Sequence, residues 1–559
     1  MVLYPAADSF AAALNNVGDI MGGTMDRMER QIGPESMTGD LLDGSDKDQD
    51  IDTTAPLPKD EDQAFPTFKL KQIKIISNKI IPSDQLKHLW TPIVGKKVSL
   101  KDIQKLAHKI THTYRKAGYI LSFARVIQQT VKDGAVTLEI VEGYIDQVEV
   151  TFEETESKTG HWLSKLTEKI KEHRPITRKV YERYLLLIRD LYPNAKGYLK
   201  PSENNSDGAA TMQLVIPKRT SHGFNMGVNN FGSDSVGPWM FSIAMDRPAP
   251  WNPEHEIELR YNQGQYKSEV WSGGIGYTLP VNANGTTIGM DVDVVRSRPG
   301  GVLKDYNVIT QENEFSAFIM HPFLRSQNTN IYGSLEFEHT NQTRYIKFAN
   351  SIKKERSRRA KFSLIGQWHD SFKGANYVKT SAIKGLRGLN SVTTSYPNRT
   401  RLKGAADALY FTIDLKRIQH IMGYFSVGFN LVGQYANSTL LDIDRYRSRG
   451  FPFNGAYTPA ALSGDSGIEG KIELAYTRQD LESMKLLKLF GYLSKMKVWN
   501  RNPNVGENFS ESAKGMVLGS EVTLNNKVTA ALMYGYPFDG PVGHDSMNPQ
   551  VGVSLNWSF

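Results

Sequence analysis

From about Gly223 to Phe559 nearly every segment of this chain alternates apolar and polar residues, with no helical period between the runs. Ile257, Leu259 and Tyr261 fall on one face of a strand, and Glu256, Glu258 and Arg260 on the other. Ile331, Leu335 and Phe337 stand in the same way against Tyr332, Ser334, Glu336 and Glu338. The carboxy terminus repeats it, with Val551, Val553, Leu555, Trp557 and Phe559 facing one way and Gly552, Ser554, Asn556 and Ser558 the other. In a soluble sheet the apolar face must meet a second layer; in a transmembrane barrel it meets lipid while the polar face meets a wet lumen. Marking each run predicts 16 strands, starting near Gly223, Trp239, His255, Val270, Thr286, Asn313, Thr329, Arg359, Tyr377, Ala408, Tyr424, Gly467, Leu489, Lys514, Val528 and Asn548. An even number of strands with no intervening helix lets the first and last pair and leaves no edge. Glu256, Arg260, Glu336 and Glu521 on the polar face predict an aqueous lumen.

Composition agrees where it bears on this. Mean hydropathy is −0.42 and no long apolar run exists, so no helix of this chain spans a membrane. Barrel strands need only about 10 half-apolar residues each. The absence of Cys excludes disulfides, zinc–thiolate sites and cysteine nucleophiles. The net charge of +8 is spread over strands and turns, which argues against a nucleic-acid surface. Its one dense cluster, Lys353 to Arg359, is predicted to be a solvated loop or a lipopolysaccharide contact. Met1 to Asp8 lack the basic region and apolar core of a signal peptide, so an exported chain has already lost one.

Ahead of the alternating region three segments differ. Residues 1–33 contain a predicted helix, Asp8 to Gln31, with Phe10, Leu14, Val17, Met21, Met25 and Met28 at helical spacing. Gly18, Gly22 and Gly23 weaken it, so it needs a surrounding wall. Residues 34–66 are polar and acidic and read as a flexible linker. Asp46, Asp48, Asp50 and Asp52 imitate a calcium loop, but Ile51 stands where its Gly belongs and Leu57 where its Glu belongs. Residues 67–143 and 144–220 each read as strand, two helices and two strands. In the first, Gly118 stops the long helix and Lys132-Asp-Gly134 makes a hairpin turn.

The chain carries no persuasive catalytic, cofactor or metal motif. Gly464-Asp-Ser-Gly467 reads as a tight turn before a strand, and Gly95-Lys-Lys-Val-Ser lacks the first Gly of a phosphate loop. The unusual segment is the stretch of about 30 residues between the strands near Tyr435 and Gly467, which holds Arg445-Tyr-Arg-Ser-Arg-Gly-Phe451-Pro-Phe453. Loops of that length are often functional. An Arg beside Gly and Phe can place a guanidinium in a polar lumen among carboxylates, and on spacing alone an exposed basic loop is an equal reading.

These residues resemble those of the two-partner secretion (TpsB) transporters, a branch of the superfamily that joins POTRA domains to an outer-membrane barrel. The resemblance lies in Tyr114-Arg-Lys-Ala-Gly118-Tyr-Ile120, Val126-Ile-Gln-Gln129, Asp133-Gly134 and Val141-Glu-Gly-Tyr-Ile145. It continues in Ser448-Arg-Gly-Phe451, similar to the Val-Arg-Gly-Phe/Tyr signature of the sixth extracellular loop, and in Leu462-Ser-Gly-Asp-Ser-Gly467. Trp557-Ser-Phe559 resembles the signal read by the barrel-assembly machinery. The resemblance implies a membrane all-β barrel of 16 antiparallel strands (221–559), two periplasmic α/β POTRA domains (67–143 and 144–220) and an amino-terminal plug helix on its linker. It implies that Arg449, with Gly450 and Phe451, locks the loop inside the lumen against strand carboxylates. Relatives carry an Asp in the run that here reads Gly491 to Val498, where Ser494 stands instead. Leu386-Arg-Gly-Leu389 is a poorer match, placed in a middle strand. The implied function is a monomeric translocation pore of a Gram-negative outer membrane that captures an unfolded exoprotein and secretes it without ATP. The implied partners are that exoprotein, outer-membrane lipid and lipopolysaccharide, and the assembly machinery. The alternative is a barrel insertase.

Overall fold

The computed structural model describes residues 67–559 apart from the short segments 154–159, 205, 219–222, 234–235, 267–268, 393–395, 482–483, 505–506, 526 and 541–547. The helix predicted over Asp8 to Gln31 and the acidic linker lie outside the described residues.

The α/β region begins with β1 (Thr67–Lys69), β2 (Gln72–Ile76), α1 (Ser83–Leu86), β3 (Lys97–Ser99), α2 (Leu100–Lys116), β4 (Phe123–Val126) and β5 (Ala135–Val141). It continues with β6 (Tyr144–Phe152), α3 (His161–Glu172), α4 (Arg178–Leu191), β7 (Lys196–Pro201) and β8 (Ala209–Ile216). Each half holds one sheet of the same topology: β2–β5–β4 and β6–β8–β7, in which the outer strand β2 or β6 runs parallel to the central one. A small ribbon of β1 and β3 was not legible in the sequence.

Local chemistry explains the elements. Ser99 and Asp102 form a capping box at the start of α2, and the Ser99 N–H and hydroxyl on its carboxylate hold Asp102 below the usual carboxylate range. Ile103, Leu106, Ala107, Ile110 and Tyr114 bury one face of α2 against Leu138 and Ile140 of β5. Asp133 (φ 52°) and Gly134 (φ 73°) supply the two left-handed positions of the predicted hairpin turn. The helix predicted over Ser83 to Trp90 is cut short: only α1 is α-helical, and two 3₁₀ turns, Lys87–Leu89 and Thr91–Ile93, follow.

The remaining strands are β9 (Phe224–Asn229), β10 (Met240–Ala249), β11 (Asn252–Gly264), β12 (Val270–Pro280), β13 (Thr287–Ser297), β14 (Val308–Arg325), β15 (Thr329–Ile346) and β16 (Ser351–His369). After them come β17 (Gly374–Gly385), β18 (Leu409–Met422), β19 (Phe425–Ala436), the two-residue pair β20 (Tyr446–Arg447) and β21 (Ser463–Gly464), then β22 (Ser466–Leu481), β23 (Met484–Trp499), β24 (Ser510–Leu524), β25 (Val528–Asp539) and β26 (Gln550–Ser558). Sixteen of these, all except β20 and β21, close in chain order into one antiparallel barrel among the described residues, as the alternation predicts. Ring closure joins β26 to β9 over five register pairs, from Ser554↔Asn229 to Ser558↔Asn225. Beyond them the Asn230 side chain accepts the Val553 N–H at 2.6 Å and donates to the Val551 carbonyl at 2.8 Å. Both termini of the barrel lie at the end with the short turns.

The wall is inside-out relative to a soluble core. Leu259, Ile275, Leu335, Phe362, Ile472, Leu493, Leu518 and Val551 are exposed, whereas Glu258, Arg260, Asp291, Glu336, Glu355 and Glu469 are buried. Arg260 meets Glu258, Asp291 and Asp293 at 3.1, 3.1 and 2.9 Å, so the inward charges neutralise one another.

Two expectations need correction. Lys353 to Arg359 is not a loop but the first half of β16, because β15 and β16 form a hairpin of 18 and 19 residues that runs on past the apolar belt. There inward and outward positions are both polar, and alternation vanishes from the sequence. Leu386 to Leu389 is not in a middle strand; it follows β17, whose last residue is Gly385, and opens the loop that leads to β18.

Candidate functional site

The loop between Ala436 and Ser466 turns inward. It contains a 3₁₀ turn, Asp442–Asp444, and the ribbon of β20 and β21. Its two arms reach opposite walls. Counted around the ring from β9, β15 and β16 are the seventh and eighth strands, and β22 to β26 are the twelfth to sixteenth.

The first arm is held by charge. Asp442 meets Arg344 of β15 at 3.2 Å, and Asp444 meets Arg359 of β16 at 2.8 Å. The Glu355 carboxylate of β16 accepts the N–H groups of Asp442 and Ile443 at 3.4 and 3.0 Å. Arg447 donates to the Asp442 carbonyl at 2.7 Å, and Arg445 to Asn500 at 3.0 Å. Such pairs hold position because removing one partner strands the other in a site shielded from water.

The second arm carries the signature and is held by hydrogen bonds and close packing. The fully buried Glu469 of β22 accepts the Arg449 N–H at 3.0 Å and the Tyr446 hydroxyl at 3.2 Å. The Arg449 guanidinium lies over the Phe453 ring at 5.4 Å. Tyr492 of β23 donates to the Pro452 carbonyl at 3.0 Å and accepts the Gly455 N–H at 3.2 Å. Ser494 donates to the Asn454 side chain at 2.8 Å. Tyr457 donates to the Lys514 carbonyl at 2.7 Å and also meets the Asp539 carbonyl.

Glycines in the facing wall make room for this arm. A Cβ at Gly535 of β25 would run into the Gly455 carbonyl, and one at Gly515 of β24 into Ala456. Phe451 lies over Gly552 of β26 and packs on Phe231 with ring centroids 5.3 Å apart.

Ser448, Arg449, Gly450 and Phe451 are thus brought into the lumen together. Ser494 takes Asn454, and the buried carboxylate beside the signature is Glu469, which sequence reasoning did not single out. Asp465 was missed too. It is fully buried, pairs with Arg401 of the β17–β18 loop at 2.5 Å and accepts the Leu440 and Arg501 N–H groups at 2.8 Å each, which ties three loops together at this end. The turn expected at Gly464 to Gly467 is therefore an anchor. At the opposite end, the Phe559 N–H donates to Phe224 at 2.9 Å, their rings are 5.7 Å apart, and Trp557 pairs with Met226 and Val528.

Residues 68–143 match the ShlB-type POTRA domain. The chain is similar to the heme/hemopexin transporter protein HuxB of Haemophilus influenzae, with 21% identity over 475 residues, covering 83% of this chain and 82% of that one. The fold matches CdiB from Escherichia coli with a TM-score of 0.72 at 13% identity, over 96% of this chain and 99% of that one. It also matches CdiB from Acinetobacter baumannii with a TM-score of 0.63 at 17% identity, over 94% and 98%. HuxB is a transporter by name. Residues 68–143 thus carry an ShlB-type POTRA domain, and the described strands close a 16-stranded barrel whose fold is that of the CdiB structures.

Proposed function

We propose that this protein is the pore through which one exoprotein leaves a Gram-negative cell, with the POTRA domains receiving the unfolded chain in the periplasm. The observation that carries the reading is a polar lumen crossed by a loop anchored on both walls, inside a barrel whose outer face is apolar. A permanent channel needs no such loop, and a solid barrel needs no such lumen. The periplasm holds no ATP, so folding of the exported chain outside supplies the drive. The POTRA domains capture it as an added strand on a sheet edge or in a helix–strand groove. We assign this capture to residues 67–143, and a second POTRA domain to residues 144–220.

Within this reading, Arg449, Gly450 and Phe451 form the lock, and Phe10, Leu14, Val17, Met21, Met25 and Met28 form the face of a plug helix carried on the linker 34–66. Trp557 and Phe559 present the assembly signal. The protein acts as a monomer in lipid and lipopolysaccharide and performs no catalysis. Deleting residues 68–143 tests the capture step: secretion and binding of the exoprotein should both be lost while the barrel still inserts. Unchanged secretion refutes it. An insertase is the weaker alternative, since HuxB, similar over 83% of this chain, is a transporter by name.

A further inference from the structure

The outer wall departs from a plain apolar belt at one place near the long-loop end. On β18, β19 and β22 the belt runs up to the exposed side chains of Phe411, Tyr435 and Ile468. On β23 it stops at the exposed Leu493, and the next outward positions are Lys495 and Lys497, while Met496 and Val498 between them are buried. On β24 the residue directly opposite Lys495 is Lys514, also exposed. Like charges on directly opposed residues repel, and lysines on a lipid-facing strand are unfavourable unless an anion meets them. Lys514 has Asp539 at 3.3 Å, but no ion pair joins Lys495 or Lys497 to a carboxylate among the described residues. Lys497 lies over the Trp499 ring at 5.2 Å.

Beside these lysines the wall is hollow. A groove of about 1140 Å³ is lined by the small residues Thr380, Ala382 and Gly433 and by the rings of Phe411, Tyr435 and Phe509. That exceeds the room a drug-sized ligand needs. Arg501 stands at its loop-side rim, exposed, with its guanidinium 5.5 Å from the Tyr435 ring. Cations therefore stand along β23 and at the loop-side rim of an apolar trough, at the end of the barrel that carries the long loops.

We propose that this wall is a binding site for the lipid A portion of lipopolysaccharide, with its phosphates on Lys495, Lys497 and Arg501 and acyl chains in the groove. The assignment rests on the outer-membrane reading, which places the long loops at the cell surface, where this glycolipid forms the leaflet. Two cationic points, on β23 and at the rim, beside a groove of about 1140 Å³ fit a molecule with two phosphates and several chains. A phospholipid with one phosphate leaves one of the points unmet.

The test measures binding of lipid A and of phosphatidylglycerol to the full chain in detergent micelles by native mass spectrometry, separately from any secretion assay. Wild type should hold one lipid A about tenfold more tightly than phosphatidylglycerol. The double variant Lys495→Gln/Lys497→Gln should lower lipid A affinity about tenfold, and Ala382→Trp, which fills the groove, should do the same without touching a charge. Heat-modifiable migration on a gel reports whether each variant is a folded barrel, and Arg501→Gln replaces any that is not. Equal affinity for the two lipids, or a loss under threefold in the variants, overturns the proposal. Normal secretion alongside lost binding leaves the transport reading intact.

Discussion

Glu469→Gln is the sharpest probe of the lock, because the two side chains match in size and the carboxylate is fully buried among loop groups. Glu469 accepts at least two hydrogen bonds from the loop, from the Arg449 N–H and the Tyr446 hydroxyl. A bond to a charged acceptor contributes about 1.5–3 kcal/mol and one to a neutral acceptor about 0.5–1.5 kcal/mol. The exchange therefore costs about 2–3 kcal/mol over both bonds, or roughly 30- to 150-fold in the ratio of docked to released loop. The native chain has no Cys, so a single Ala456→Cys provides a unique reporter on a side chain that is buried against Gly515 when the loop is docked. Labelling by a bulky maleimide tracks the released population when opening is fast. The rate should rise by roughly that 30- to 150-fold on Glu469→Gln. Asp293→Asn, which alters the separate Arg260 cluster, should leave it unchanged. A rise under about threefold, or an equal rise in the control, refutes the argument that Glu469 holds the loop.

Gly535→Val should drive the Gly455 carbonyl away from β25, raising Ala456→Cys labelling and lowering secretion while heat-modifiable migration persists; wild-type labelling would show that the wall yields instead. Arg449→Ala should cripple secretion with near-normal barrel amounts, which an immunoblot of outer membranes and medium checks. Deleting residues 1–33 should raise single-channel conductance in planar bilayers, and an unchanged value removes the plug. Ser99→Ala breaks the capping box and should cost a fragment of residues 67–218 about 1 kcal/mol at pH 7, seen as a melting point lower by roughly 2–4 °C. Asp102 is held below its unfolded value, so its share of stability is present above the ordinary carboxylate range and is lost as pH falls through the depressed value. The deficit of Ser99→Ala should therefore shrink on titration to acid.

The strand count was readable because lipid on one side and water on the other force a period of two that no loop imitates. Starts were missed by up to eight residues where that contrast ends. Expected near Arg359, β16 begins at Ser351, and its first half has polar neighbours on both faces. The signature around Arg449 was legible as a short local pattern. Its partners were not, because Glu469, Tyr492, Arg344 and Arg359 reach the loop only through ring closure and strand register. In the sequence each is one more polar residue in an alternating run. Lys495 and Lys497 were invisible for the complementary reason: which side of β23 faces outward is settled by its neighbours.

The two arms of the inward loop also act as a diagonal brace. They tie the seventh and eighth strands of the ring to strands that lie up to eight places further round. A chain threading the lumen has to release at least one arm, and with it goes the cross-tie that resists ovalisation of the barrel. An exporter in the act of transport should thus be a softer cylinder than the same protein at rest. Its open lifetime should depend on the lateral tension and thickness of the surrounding bilayer.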